Sequence, residues 1–311
     1  MKLSPKALGL FAAVVTVAIW TFFIVIARAS AAHNLMPLDI AFLRILGASC
    51  VLLPWGIYLR KTQGIGTFGA GSLLGLSPLP LRTTLLAGLF GSMLYAVLAY
   101  SGFFFAPAAH ASVLMPGSLP LWTSLLALFL LREKPSKPRL IGLVCIVLGD
   151  LLVGGESLLK AFDGGNVWRG DVLFMSAAFC WSVYTVLMRR WGLDAVRATI
   201  AITAFSSVSF LPLYAAGAYL GILPSHLATA PAAEMAFQAL FQGVGSVVIS
   251  GISFNLMIRH YGPVKSTMIT ALVPGLSALG AVWLLNEPMQ INLIAGLLLV
   301  TCGILFGIRR A

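Results

Sequence analysis

Apolar residues follow one another along almost the whole chain, in stretches interrupted only by short polar segments. About 20 apolar residues are long enough to cross the roughly 30 Å hydrocarbon core of a bilayer as a helix. The pattern therefore predicts an all-α integral membrane protein with ten transmembrane helices, numbered here in chain order, and almost no soluble domain. The approximate spans are 7–27, 38–59, 84–105, 109–131, 140–155, 170–188, 198–220, 236–258, 265–285 and 291–308.

Composition agrees with this pattern. Of the 311 residues, 59% are hydrophobic and 9% are charged, whereas soluble domains have about 25% charged residues. A soluble fold of this size could not cover so much apolar surface. The four cysteines fall inside predicted helices and form no CxxC pair, which favours packing residues over a disulfide framework or a metal site.

The net charge of +11 would suit a nucleic-acid partner, but its distribution indicates membrane topology instead. With ten spans, one side of the membrane carries both termini. Among the 20 Lys and Arg residues, only Arg28, Lys160 and Arg169 fall on the other side, and Arg44 lies within a span. The positive-inside rule then predicts cytoplasmic N- and C-termini and no nucleic-acid partner. The N-terminal helix, although followed by the signal-like segment ARASAA at 27–32, is expected to be retained.

The two halves of the chain repeat each other. Matched positions keep a constant offset and order, which predicts a duplicated five-helix unit comprising 1–155 and 156–311. Because five is odd, the second unit must cross the membrane in the opposite direction, and such inverted repeats place transporter sites near the midplane around a central cavity. At offset 161, Gly9, Trp20 and Arg28 match Gly170, Trp181 and Arg189; at offset 154, Gly91, Ser92, Ser112, Pro120, Glu133, Gly142 and Gly149 match Gly245, Ser246, Ser266, Pro274, Glu287, Gly296 and Gly303.

These motifs resemble those of the drug/metabolite transporter superfamily, in particular its EamA-like ten-helix exporters. The resemblance rests on the Trp…Arg pattern of helices 1 and 6 and on the Pro…Glu endings of helices 4 and 9, LLREKP and LLNEP. It covers nearly the whole chain and extends to the aromatic amino-acid exporter branch. It implies a bacterial inner-membrane exporter of small metabolites. Asp39 and Arg44 have no charged counterparts in helix 7, which speaks against a symmetric charge mechanism there.

Prolines interrupt helices 4 and 9 at corresponding places. Pro116, Pro120 and Pro274 each remove a backbone hydrogen bond and leave a carbonyl to be satisfied; for Pro116 this is the carbonyl of Ser112, and for Pro274 that of Thr270. One interpretation is a pair of kinks satisfied by neighbouring helices. The other, which the matched placement favours, is a pair of hinges lining a central cavity, with Ser112 among the substrate contacts.

Aromatic and polar residues supply the other candidate substrate contacts. Trp20 and Trp181 are repeat counterparts deep in the membrane, where the indole N–H needs a partner, and Tyr184 follows Trp181 by one turn. They are expected to face each other across the cavity, with core packing as the alternative. Helix 8 has a polar stripe from Gln238 through Ser253, which favours water over lipid on that face. The remaining candidates on helices 3 and 8 are Tyr95, Tyr100, Ser253 and Asn255.

A few charged residues and glycines lie inside or at the ends of the predicted spans. Asp39 is expected to pair with Arg44, or Arg44 to extend to the interface; Asp150 is expected to be hydrated and His110 to form a hydrogen bond rather than titrate. Glycines of helices 5 and 10, including the GxxxG of Gly303, indicate either helix packing or a dimer face. The sequence is therefore compatible with a monomer and with a homodimer.

No motif indicates catalysis. The segment GIGTFG at 64–69 has the G-x-G-x-x-G spacing but no strand–turn–helix context, and neither a catalytic residue, a metal site nor a cofactor is predicted. The inverted repeat and the resemblance together favour a transporter over an enzyme. As the resemblance implies, it would export small metabolites, with amino acids including aromatic ones as the favoured substrates, across the bilayer by alternating access. Export of other small metabolites or drugs is the first alternative, and a membrane-embedded enzyme or a pore is the second.

Overall fold

The structure is a computed structural model, and it describes residues 5–31, 33–63, 72–161, 164–270 and 272–308. These residues form helices and connecting segments and contain no β-strand. The helices are α1 (Pro5–Ser30), α2 (Pro37–Gln63), α3 (Leu81–Phe103), α4 (Ala108–Leu130), α5 (Lys137–Ala161), α6 (Val167–Arg190), α7 (Ala195–Tyr219), α8 (Ala232–Tyr261), α9 (Pro263–Leu285) and α10 (Ile291–Ile308).

Within the described part of the chain, nine of these helices, α1 to α9, have the length and apolar composition needed to cross a membrane. The tenth predicted span corresponds to a shorter apolar helix, Ile291–Phe306. The prediction of an all-helical membrane protein is confirmed, with nine to ten helices suited to span. Two sets of residues discussed above lie outside the described residues: the GIGTFG segment and the terminal residues 1–4 and 309–311. The prediction of cytoplasmic termini depends partly on these terminal residues.

Several helices depart from α-helical geometry near their middle. Five-residue hydrogen-bond steps, characteristic of a π-helix, occur at Leu89–Leu94 in α3 and at Ala239–Ile249 in α8. In α4 the π-helical segment is Val113–Gly117, which contains Pro116, and the α-helix resumes at Leu119. Segments of this kind occur frequently at functional sites.

The other proline-containing helix, α9, consists of Pro263–Ile269 and Leu272–Leu285. The carbonyl of Thr270, which the sequence predicts to be released by Pro274, accepts a hydrogen bond of 3.0 Å from the Val273 N–H. This carbonyl is therefore satisfied locally, in a tighter turn than that of an α-helix. Both predicted interruptions coincide with irregular backbone, and their role as hinges stays a prediction.

The ends of α4 and α9 share one backbone geometry. Arg132 and Asn286, which are 154 residues apart, have positive φ angles of 58° and 54°. The N–H of Glu133 donates to the carbonyl of Ala127 at 3.2 Å, and the N–H of Glu287 donates to that of Ala281 at 3.3 Å. In both helices the N–H that follows the left-handed residue thus reaches back to the carbonyl six positions earlier. The offset matches the one found in the sequence.

Helix packing also shows this correspondence. Helix α1 packs against α8 and α9, and α6 packs against α3 and α4, so a shift of five in helix number relates the two sets. Helices α5 and α10 pack closely on each other through glycines. A Cβ at Gly303 would lie 2.5 Å from the carbonyl oxygen of Gly142, and one at Gly149 would lie 2.7 Å from that of Gly296. These glycines therefore serve packing within the chain.

Candidate functional site

Four helices bring aromatic side chains together in the middle of the bundle. The central aromatic cluster consists of Trp20 of α1, Tyr95 of α3, Trp181 and Tyr184 of α6, and Phe254 of α8. The Trp181 ring is 4.9 Å from Tyr95, 5.3 Å from Tyr184 and 5.8 Å from Phe254, measured between ring centroids. The predicted residues Trp20, Tyr95, Trp181 and Tyr184 thus belong to one cluster, to which the structure adds Phe254.

The two tryptophans touch each other. Their ring centroids are 5.9 Å apart with an interplanar angle of 77°, an edge-to-face contact. The expectation of rings facing each other across a cavity is therefore wrong for this conformation. The cavity beside them measures about 20 Å³ and is lined by Trp20, Phe23, Ile24, Tyr95, Met115, Pro116, Leu119, Trp181 and Val273. A water molecule needs at least about 10–15 Å³, so no metabolite fits without a rearrangement.

Of the two indole N–H groups in the cluster, one has a hydrogen-bond acceptor and the other has none. Trp20 Nε1 donates to Ser250 Oγ of α8 at 3.2 Å, which is in the stripe predicted from the sequence. Trp181 Nε1 is buried and has no hydrogen-bond partner. A buried donor without an acceptor is energetically costly. Trp181 therefore leaves one donor of the site available to an acceptor that enters the cavity.

A buried arginine adjoins the cluster. Arg44 of α2 is 6% exposed, and its Nη1 donates to Ser246 Oγ at 2.8 Å and to the Tyr100 hydroxyl at 3.4 Å. Its guanidinium carbon lies 5.5 Å from the centroid of the Phe23 ring and 5.8 Å from that of Tyr95. Among the described residues, no carboxylate pairs with Arg44, and Nε and Nη2 have no protein acceptor.

The expected pairing of Asp39 with Arg44 is wrong. Asp39 accepts hydrogen bonds from the Tyr214 hydroxyl, the Ser225 hydroxyl and the backbone N–H of His226. It therefore ties α2 to the end of α7 and the segment that follows. The two residues are five positions apart, whereas side chains three or four apart share a helix face. Arg44 was not among the predicted contacts, although its place inside an apolar span is a signal for a functional charge.

The remaining predicted contacts lie in separate hydrogen-bond networks. The Tyr100 hydroxyl donates to Gln242 Oε1 at 3.0 Å and so connects Arg44 with α8. Asn255 Nδ2 donates to the Tyr184 hydroxyl at 2.8 Å and to Thr199 Oγ1 of α7 at 3.0 Å.

Two predicted serines lie away from these networks. Ser112 Oγ donates to the carbonyl of Ala108 at 2.7 Å and accepts from Ser277 Oγ of α9 at 2.9 Å. The Ser112 contact joins the two interrupted helices α4 and α9. Ser253 takes part in none of these bonds.

An ion pair closes the end of the bundle where α1 ends and α4 begins, which the charge distribution predicts to be the outer end. Arg28 Nε lies 3.1 Å from Glu287 Oε1, and Arg28 Nη1 donates to the carbonyl of Phe103 at 2.7 Å. The same carboxylate accepts from the N–H groups of Ala108 and Ala109 at 3.1 and 3.2 Å. We name Arg28, Glu287 and these two N–H groups the outer latch.

The repeat counterparts of the latch residues are not joined. Arg189 and Glu133, which correspond to Arg28 and Glu287, are both exposed at the other end of the bundle. Neither side chain has an ion-pair partner among the described residues. A cavity of about 650 Å³ lies at that end, and Trp55, Arg189, Asp194, Arg197 and Arg259 are part of its lining. The two ends of the molecule thus differ: an ion pair joins the counterparts at one end and none joins them at the other.

Two acidic residues of α5 and α6 are buried: Asp171 lies near the outer end of α6, and Asp150 lies near the middle of α5. His110 Nδ1 of α4 is 2.9 Å from Asp171 Oδ1, so His110 forms a hydrogen bond, as expected. Asp150 is 7% exposed, so it lies inside the bundle rather than at its outer surface, and its hydration stays a prediction. The described residues contain no group of three or more His, Cys, Asp or Glu side chains that could hold a metal ion.

Comparison with known proteins agrees with a transport function. Residues 7–155 and 168–309 match the sequence model of a family described as the EamA-like transporter family. Two relatives from Bacillus subtilis (strain 168) are named uncharacterized transporter YoaV, 26% identical over 88% of this chain and 87% of the relative, and uncharacterized transporter YyaM, 23% identical over 70% of each. A crystal structure 20% identical in sequence superposes with a TM-score of 0.60 over 96% of this chain and 95% of that one, and so has the same fold.

Proposed function

Because the chain belongs to the EamA-like transporter family, and is therefore a membrane transporter, we propose that it carries small solutes with a carboxylate group by alternating access. Amino acids, including aromatic ones, are the favoured substrates, and export from the cell is the favoured direction. The bilayer would be the bacterial inner membrane, with both termini cytoplasmic. Other small metabolites or drugs are the alternative substrates.

The observation that carries this proposal is the buried, uncompensated charge of Arg44. A charged side chain inside a membrane protein is costly unless it is paired. A guanidinium has five N–H donors arranged to match a carboxylate with two parallel hydrogen bonds. Arg44 uses only Nη1 within the described chain, so Nε and Nη2 remain for a bound carboxylate.

The central aromatic cluster supports the second half of the substrate assignment. Tyr95 connects the cluster with Arg44, because its ring contacts both Trp181 and the guanidinium. Aromatic rings pack well against an aromatic or large apolar substrate side chain. They also attract an ammonium group through cation–π interactions of about 0.5–2 kcal/mol. A carboxylate, an ammonium and an apolar group together describe an amino acid.

The unequal ends of the molecule support alternating access. The outer latch is formed, whereas Arg189 and Glu133 form no ion pair. The cavity beside the tryptophans is too small for a substrate. In the proposed cycle the cluster separates to admit the solute from the inner end. The outer latch then opens as Arg189 approaches Glu133. Motion of α4 and α9 about Pro116, Pro120 and Pro274 would accompany this exchange.

We further propose that the fold consists of two inverted five-helix repeats, comprising 1–155 and 156–311. Two observations support this arrangement: the family model matches the chain in two segments, and a shift of five in helix number relates the helix contacts. Both a monomer and a homodimer are compatible with it. The glycines of α5 and α10 do not distinguish the two states, because they serve packing within the chain. No cofactor takes part in the proposed cycle.

Counterflow in proteoliposomes tests the proposed function. Vesicles loaded with unlabelled phenylalanine should take up labelled phenylalanine faster than empty vesicles, and the recovered label should be chemically unchanged. Equal uptake without stimulation would indicate a pore, and a changed compound would indicate an enzyme. Phenylalanine amide, which lacks the carboxylate, should compete about 10- to 100-fold less well, corresponding to the loss of about 1.5–3 kcal/mol for hydrogen bonds to a charged group.

Variants of Arg44 complete this test. Arg44→Gln should abolish the preference for phenylalanine over its amide, whereas Arg44→Lys should keep part of it, because lysine retains the charge without the paired geometry. Arg190→Gln, at an exposed position, is the matched control. An unchanged preference in a stably folded Arg44→Gln protein would refute the proposed role of Arg44.

A further inference from the structure

Asp150 of α5 is a buried carboxyl group without a partner. It is 7% exposed, and neither Oδ1 nor Oδ2 accepts a hydrogen bond in the described part of the chain. Removing a carboxylate from water without a compensating partner is strongly unfavourable. Asp150 therefore needs a ligand that neutralises or pairs its charge, and an ionisable residue in this position is a functional-site hypothesis.

The surroundings of Asp150 limit what that ligand can be. A cavity of about 470 Å³ lies between α4, α5 and α6, and its lining is mostly apolar: Leu114, Leu121, Trp122, Val147, Asp150, Leu151, Gly154, Gly155, Asp171, Val172, Met175, Ser176, Phe179 and Cys180. Apart from Asp150, the titratable groups there are Asp171 and Cys180 of α6, with His110 of α4 bound to Asp171. The described part of α10, which packs along α5, adds no charged group.

We propose that Asp150 is a proton-binding site and that the transporter exchanges this proton for its solute. A metal ion needs several oxygen, nitrogen or sulfur ligands, and the described residues offer no group of three acidic, histidine or cysteine side chains. A proton needs one carboxylate oxygen. The coupling part of this inference rests on the proposed transport function, whereas proton binding at Asp150 does not.

The structure places a path for the proton between the outer end and this cavity. His110 lines a second cavity of about 310 Å³ at the outer end, together with Arg28, Lys160 and Glu287. Its Nδ1 lies 2.9 Å from Asp171 Oδ1, and Asp171 lines the cavity that contains Asp150. The hydrogen bond between His110 and Asp171 therefore connects the outer cavity with the cavity that contains Asp150.

Loss of the proton acts on α4. Once charged, Asp150 requires a donor, and Trp122 Nε1 is a buried donor lining the same cavity without a partner. Trp122 belongs to the part of α4 that follows Pro116 and Pro120. Attraction between the charged carboxylate and this N–H therefore pulls this part of α4, which is proposed to move during transport, toward α5. Protonation of Asp150 removes that attraction, which links the proton to the conformational cycle.

Infrared spectroscopy of the protein in lipid tests proton binding without any transport. The C=O stretching band of a protonated carboxylic acid should be present in the native protein and lost in Asp150→Asn. It should return, with a small frequency shift, in Asp150→Glu. Ser176→Ala, which changes another residue lining the cavity, should leave the band unchanged. A band that is equal in the native protein and in Asp150→Asn would overturn the assignment.

Transport with a pH gradient tests the coupling. In vesicles with an acidic interior and a clamped membrane potential, exchange of one proton for one phenylalanine gives about tenfold accumulation for each pH unit. Asp150→Asn should lose this accumulation and keep counterflow at equal pH, whereas Asp150→Glu should retain both. Unchanged accumulation in Asp150→Asn would overturn the coupling. Absence of counterflow in the native protein would instead refute the proposed function and leave the infrared result to decide proton binding.

Discussion

Arg28 and Glu287, which are 259 positions apart in the sequence, form an ion pair in which Nε and Oε1 are 3.1 Å apart. The glutamate also accepts the first backbone N–H groups of α4. One carboxylate thus joins the end of α1, the start of α4 and the end of α9. These are the helices whose relative movement would open the outer end.

The outer latch predicts opposite effects for two matched substitutions. Glu287→Gln removes the charge that Arg28 and the two N–H groups share, so the outer-closed state should lose about 1–2 kcal/mol, a shift of about tenfold in the ratio of states. Glu133→Gln, at the counterpart position, should favour the outer-closed state. Spin-label distances across the outer end would measure both shifts. Movement in the same direction in the two variants would contradict the latch.

The central aromatic cluster predicts a loss of transport of aromatic substrates. Trp20→Ala and Trp181→Ala each remove an edge-to-face contact and the apolar surface offered to a ring, which should weaken phenylalanine binding by about tenfold. The readout is the concentration dependence of counterflow in proteoliposomes. Trp283→Ala is the control, since Trp283 is 86% exposed. Intact flux in both cluster variants would show that these rings do not contact the substrate.

If the prolines of α4 and α9 act as hinges, replacing them should lower the maximal rate of transport more than the affinity for phenylalanine. In the Pro120→Ala, Pro274→Ala double variant, both helices regain a backbone N–H and stiffen. The maximal flux should therefore fall several-fold more than phenylalanine binding weakens. Pro54→Ala changes a proline inside α2 and serves as the control. A stably folded double variant that transports at the native rate would refute the hinge hypothesis.

The contact between α5 and α10 predicts a difference between two glycines of one helix. A Cβ at Gly149 would lie 2.6 Å from Val300 Cγ2 and 2.7 Å from the carbonyl oxygen of Gly296, whereas one at Gly155 would have nothing within 4 Å. Gly149→Ala should destabilise the protein by about 1–3 kcal/mol, and Gly155→Ala should not. Thermal unfolding in detergent measures both. Equal melting temperatures would show that the two helices separate easily.

The sequence predicted a large part of the architecture. Because lipid cannot hydrogen-bond to the backbone, a long apolar stretch must form a helix, and this rule alone places α1 to α9. The offset of 154 also predicted that the ends of α4 and α9 correspond, and Arg132 and Asn286 share a left-handed backbone there. The grouping of Trp20 with Trp181 followed from repeat position and that of Tyr184 from helical spacing, whereas only the structure brings Tyr95 to them.

Only the tertiary structure decided which polar groups find partners. Spacing along one helix could not show that Asp39 binds Tyr214 of α7, that Arg44 is left without a carboxylate, or that Asp150 is buried without a hydrogen bond. These outcomes depend on how helices distant in the chain pack. The contact between Trp20 and Trp181 likewise depends on the closed conformation. Helix formation is a local response to the solvent, whereas the pairing of a buried charge is decided by neighbours that only the fold assembles.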